Sequence, residues 1–158
     1  MEQPPPNSTS LITLLIFFLY VVPFIFYLIT LQKTLKAISP ENRKIPPAQV
    51  WLMFIPLFGI LWQFMLVSKI ADSIKAENLV REFELQESRP GYSVGLAMCI
   101  FNCTSLLSDL LGIVASFSAV AYIICWIIYW VKITSYKKQI LNSSLITLDA
   151  ETFPSAIK

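Results

Sequence analysis

Between Ser93 and Val131 the chain carries 39 consecutive residues with one charged side chain, Asp109. As a single helix that stretch would be about 58 Å long at about 1.5 Å per residue. The hydrocarbon core of a bilayer is only about 30 Å thick. The stretch therefore has to fold back on itself. Ser108-Asp109 marks the turn, so the sequence predicts two arms, 93–108 and 110–132. The second arm ends in Trp126, Tyr129, Trp130 and Lys132. Trp and Tyr favour the headgroup region, so this end is expected at an interface.

Two further apolar runs precede it. Leu11–Leu31 is uncharged and long enough to span, with a bend expected at Pro23. Residues 1–10 read as a short polar tail. They lack the positive n-region of a signal peptide, so the first run reads as a permanent anchor. Leu31, Leu35 and Ile38 predict that its helix continues past the membrane until Pro40. The second run, 48–67, has Pro56 and Gly59 near its centre, where a hairpin would turn. A charged helix over 68–89 should follow, supported by the i,i+4 pair Glu77 and Arg81. Its apolar stripe switches faces, with Val67, Ile70 and Ile74 on one side and Leu79, Val80 and Phe83 opposite. That predicts a bend near Lys75–Asn78 or contacts on both sides. Pro90-Gly91 should end the segment, and the tail 134–158 should fray from about Asn142. With 56% hydrophobic and 14% charged residues, against about 25% charged in soluble domains, 11–133 reads as one helical membrane domain.

The placement of charge selects the topology. Lys and Arg accumulate on the cytoplasmic side. A four-span helical bundle divides the 12 basic residues between the two sides. A re-entrant 48–67 segment gathers all 12 on one side, with the N-terminus outside and the C-terminus inside. The expected fold is thus an all-α integral membrane protein with three spanning helices plus a Pro/Gly-broken re-entrant helical hairpin. Pro56 and Gly59 are its candidate membrane hinge. The four-span bundle is the alternative.

Catalytic signals are sparse. The chain has no histidine, which removes Ser-His-Asp and Cys-His catalysis and His-ligated metals. Cys99, Cys103 and Cys125 lie in apolar runs, and the CxxxC spacing matches neither a redox pair nor a zinc knuckle. The four glycines form no phosphate loop. No enzyme activity, cofactor, metal or nucleic-acid partner is expected. Asp109 is the ionisable residue within the apolar stretches, and such a carboxylate is a functional candidate. Asn102, Ser105 and Asp109 share a helical face and form a candidate polar track; a turn residue capping the next helix is the simpler role for Asp109. Gly112, Ala115, Ser116 and Ala119 form a candidate helix-packing face, since small residues let helices approach. Gln63 reads as an interhelical hydrogen-bonding or interfacial residue.

The stretch Asn42-Arg43-Lys44-Ile45-Pro46-Pro47, then Trp51-Leu52-Met53-Phe54-Ile55-Pro56-Leu57-Phe58, resembles small bacterial multi-span membrane proteins of domain-of-unknown-function families. Cys125–Lys132 is also similar to them. The resemblance covers about 40–134 and implies a bacterial inner-membrane location without supplying an activity. The expected role is that of a non-catalytic scaffold, accessory or self-assembling subunit, with the lipid bilayer and other membrane subunits or copies of itself as partners. The alternative is a small oligomeric channel or transporter with Asn102, Ser105 and Asp109 along its path.

Overall fold

The computed structural model describes residues 6–82, 87–107 and 112–152. The secondary structure in them is helical: α1 (Pro6–Ala37), α2 (Phe58–Val80), α3 (Tyr92–Leu106) and α4 (Ile113–Thr152), with 3-10 segments at Pro40–Asn42 and Pro47–Phe54. Two stretches, Ser10–Ala37 and Ile113–Ile146, are long and apolar enough to cross a membrane, with mean hydropathies of 2.7 and 2.0.

The run 48–67 is not one helix. Its first half is the 3-10 segment, and α2 begins only at Phe58. Between them the chain reverses direction. Phe58 N–H donates to the Pro56 carbonyl at 2.6 Å, and Leu57 between them sits at φ 61°, ψ −50°. This is a γ-turn with positive φ, a strained conformation that a bulky L-residue rarely adopts. The two arms then run antiparallel. Trp62 Nε1 donates to the Gln49 carbonyl at 3.0 Å. A Cβ on Gly59 would lie 2.4 Å from the Met53 carbonyl oxygen. Only glycine allows the arms to meet this closely. Further from the tip, Lys44 N–H donates to Ser73 Oγ at 2.8 Å.

α3 and α4 also pack antiparallel. A Cβ on Gly95 would meet Val67 Cγ1 at 2.4 Å and Tyr129 Cε2 at 2.8 Å, so α2, α3 and α4 converge there. Gly91, where α3 starts, lies 3.5 Å from Ile133 by the same measure. The chain therefore folds back between Leu106 and Ile113, as the length argument requires; Ser108-Asp109 lies outside the described residues.

The core sits toward the charged ends of the helices. Leu31, Leu35 and Ile38 are buried at the end of α1, against Ile70 and Ile74 of α2 and Ile133 and Ile140 of α4. Tyr27 packs edge-on against Trp126, Tyr129 and Trp130, with ring centroids 5.6, 6.3 and 6.1 Å away. Trp130 Nε1 donates to Thr30 Oγ1.

Two expectations are corrected. α2 runs unbroken through Lys75–Asn78 to Val80. Its polar face can turn inward there because Glu77 and Asn78 are buried, Glu77 in a hydrogen-bonded site, while Leu79 and Val80 stay exposed. It also ends short of residue 89. Second, the tail does not fray from Asn142: α4 continues to Thr152. Ile133 and Ile140 repeat at helical spacing on the buried side, and Arg81 of α2 binds the Ile140 carbonyl, Ser143 and Ser144. Tyr129, near the end of the second arm, is a core residue, 1% exposed.

Candidate functional site

Polar groups gather in two places. The first is a network where the charged ends of the helices meet. Glu77 accepts from Ser39 N–H and Oγ–H, at 3.1 and 2.9 Å, from Asn42 Nδ2 at 2.7 Å, and from Arg81 at 2.6 Å. Burial pushes the Glu77 carboxyl upward, and the hydrogen bonds from Asn42, Arg81 and Ser39 more than offset this, leaving it below its ordinary value. Arg81 extends the network to α4, reaching Ser143 Oγ at 2.6 Å and Ser144 Oγ at 2.9 Å. Arg89 forks onto Asp72 and lies 4.0 Å over the Tyr92 ring. Lys132 pairs with Glu87, and that hydrogen bond, with one from Gly91 N–H, holds the Glu87 carboxyl below its ordinary range. These contacts tie the segment after α1, α2, α4 and the segment before α3 together.

The second lies among apolar side chains beneath the hairpin tip. Gln63 of α2 is 3% exposed. Its Oε1 accepts from Asn102 Nδ2 of α3 at 3.0 Å, and its Nε2 has no partner among the described residues. A groove of about 240 Å³ opens beside this pair, lined by Tyr20 and Phe24 of α1, the tip, Gln63, Asn102 and Tyr122 of α4.

The predicted residues fall as follows. Asn102 is joined to Gln63, and Ser105 donates to the Asn102 carbonyl of its own helix at 2.8 Å. Asp109 lies outside the described residues. Of the small-residue set, Ala115 is buried, Ala119 half-buried, and Gly112 and Ser116 are exposed. The described structure thus uses Ala115 and Ser118 for internal packing and leaves Gly112 and Ser116 on the outside. Pro56 and Gly59 are at the chain reversal. Tyr20 and Tyr122 were not anticipated. The legible signal was the pair of amides, Gln63 and Asn102, one in each of two apolar runs, where each amide needs a partner.

Comparison with family models, curated proteins and solved structures finds no match.

Proposed function

We propose that the chain is a non-catalytic integral membrane protein that acts as a scaffold, accessory or self-assembling subunit of a membrane complex. The observation that carries this reading is the unequal packing along the helices. Internal packing concentrates at the charged ends. Leu11–Leu19 of α1 is exposed throughout, and Ile113, Phe117 and Val120 of α4 are 73%, 72% and 58% exposed. A bundle packed at one end and open at the other leaves helix faces for other subunits. Gly112, just before α4, and Ser116 in its first turn are exposed and would admit a close neighbour.

Three spans and a re-entrant hairpin are the topology we assign. The reversal at Pro56–Leu57 and the Gln49–Trp62 bond support it. So does the depth of the tip, which packs at the level of Tyr20 and Phe24, midway along Leu11–Leu31. Away from the tip, Trp51 Nε1 donates to Gln32 Oε1 of α1, and Trp62 Nε1 donates to the Gln49 carbonyl across the two arms. A re-entrant turn needs its backbone groups covered by protein; the arms bury Val50 and Gly59 between them, while residues 54–58 at the tip are exposed and would be covered by a neighbouring subunit. The N-terminus is then outside and the C-terminus inside, in a membrane that the resemblance makes the bacterial inner one. A conducting path through Asn102 and Ser105 is the weaker reading, because both spend hydrogen bonds within the chain.

The test is extraction in mild detergent at native expression, with crosslinking. A stable stoichiometric complex is expected, and Gly112→Leu with Ser116→Leu should dissociate it. Recovery of monomer alone overturns the proposal.

A further inference from the structure

Where α4 leaves the apolar part of the chain it carries a cation that no described carboxylate neutralises. Tyr20 of α1 and Tyr122 of α4 line one groove, and Trp130 bonds Thr30 further along both helices. The two helices therefore run side by side in the same direction, and their charged ends emerge together. At that end Arg81 is paired with Glu77, Arg89 with Asp72 and Lys132 with Glu87. Lys138 is exposed and has no ion pair among the described residues.

A hollow of about 240 Å³ lies on α4 at this level, lined by Trp130, Val131, Thr134, Ser135 and Lys138. The Thr134 hydroxyl donates to the Trp130 carbonyl at 2.8 Å, and the Trp130 indole donates to Thr30. Lys138 Nζ and Ser135 Oγ are the donors left in the hollow. They stand three residues apart and so on one face of the helix, and both side chains are exposed. Toward the middle of the apolar run the same face continues as Val131, Ile128, Ile127 and Ile124, all exposed.

The order of these groups restricts the occupant. One end offers a positive charge and a hydroxyl, and the other offers branched hydrocarbon. A water-soluble anion would meet only the first end. A zwitterionic lipid would bring its own cation to Lys138. An anionic phospholipid matches both ends, and basic side chains where a span leaves the cytoplasmic leaflet attract such headgroups.

We infer that this face of α4 binds an anionic phospholipid. A phosphate oxygen accepts from Lys138 Nζ and Ser135 Oγ, and an acyl chain lies along Val131, Ile127 and Ile124. The inference rests on the reading of α4 as a membrane span; the subunit contacts proposed above use the opposite end of the helix.

The probes are phosphatidylglycerol and phosphatidylcholine, each carrying a diazirine on one acyl chain, photolysed with the full chain in mixed vesicles of the two lipids. Phosphatidylglycerol is expected to label residues 124–138 about fivefold more than phosphatidylcholine, the preference that one lysine gives near an anionic surface. Lys138→Gln with Ser135→Ala should remove the preference, and Lys138→Arg should keep it. Lys44→Gln, which removes an exposed cation elsewhere, should leave it unchanged. Excess inorganic phosphate should not displace the label. Equal labelling by the two lipids, an equal loss in Lys44→Gln, or displacement by phosphate overturns the inference. So does protection of 124–138 from both lipids while α1 is labelled, which would mean that protein covers this face. Failure of the chain to float with the vesicles would instead overturn the spanning reading itself, which separates the two failures.

Discussion

Glu77 shows how one side chain decides where an element can go. It sits on the stripe that the apolar spacing assigns to the core, and it is 1% exposed. A carboxylate there is tolerated because Ser39, Asn42 and Arg81 converge on it. Its pKa in the fold lies below the ordinary value of 4.5. A depressed carboxylate contributes stability above its unfolded pKa and loses it as pH falls through the folded one. Thermal unfolding in detergent should therefore become easier as pH drops below about 4.5. Glu77→Gln should flatten that dependence and cost roughly 1.5–3 kcal/mol at neutral pH; an unchanged acid profile in the variant would rule out Glu77 as its source. Gly59 makes the complementary point about space. An added Cβ would meet backbone, the Met53 carbonyl, which cannot swing aside. Gly59→Ala is expected to destabilise by about 1–3 kcal/mol, whereas Leu61→Ala, at a 72% exposed side chain, should stay within about 0.5 kcal/mol. Equal melting temperatures for the two variants would mean that the arms do not need that contact.

Among the elements, the reversal within 48–67 was legible because Pro56 and Gly59 interrupt an apolar run at its middle. The fold-back before α4 was legible from length alone. The continuation of α4 to Thr152 was not, because Lys137, Lys138 and the Ser-containing segment after them read as a solvated tail. What holds it is Arg81, which sits at the end of a different helix. Arg81→Met should release the last turns of α4. Backbone amides around 140–146 should exchange about tenfold faster, equivalent to roughly 1.4 kcal/mol of lost local stability, with those of α3 unchanged. No change near 140–146 would show that Ile133 and Ile140 suffice. The face switch near Lys75–Asn78, expected as a bend or as contacts on both sides, lies within one continuous helix in which Glu77 and Asn78 are buried while Leu79 and Val80 are exposed.

At the scale of the whole molecule, the bundle has one closely packed end and one open end, and topology follows from which face of the bilayer each meets. Single cysteines at Ser8, Glu41, Ser88 and Lys138, in a background lacking Cys99, Cys103 and Cys125, report it directly. Membrane-impermeant thiol labelling should place Glu41→Cys, Ser88→Cys and Lys138→Cys on one side and Ser8→Cys on the other. Labelling of Glu41→Cys and Ser88→Cys from opposite sides would establish a full span through 48–67 and end the re-entrant assignment.

The sequence by itself determined the helical class, the lengths of the apolar runs and the points where the chain must turn. Those depend on local spacing and on the fixed rise of a helix, and both can be read along the chain. The tertiary structure alone decided which polar groups meet. Gln63 with Asn102, Glu77 with Ser39 and Asn42, and Arg81 with the end of α4 are pairs separated by dozens of residues. Nothing in local spacing encodes them, because a buried polar group is satisfied by whichever partner the packing brings within hydrogen-bond reach.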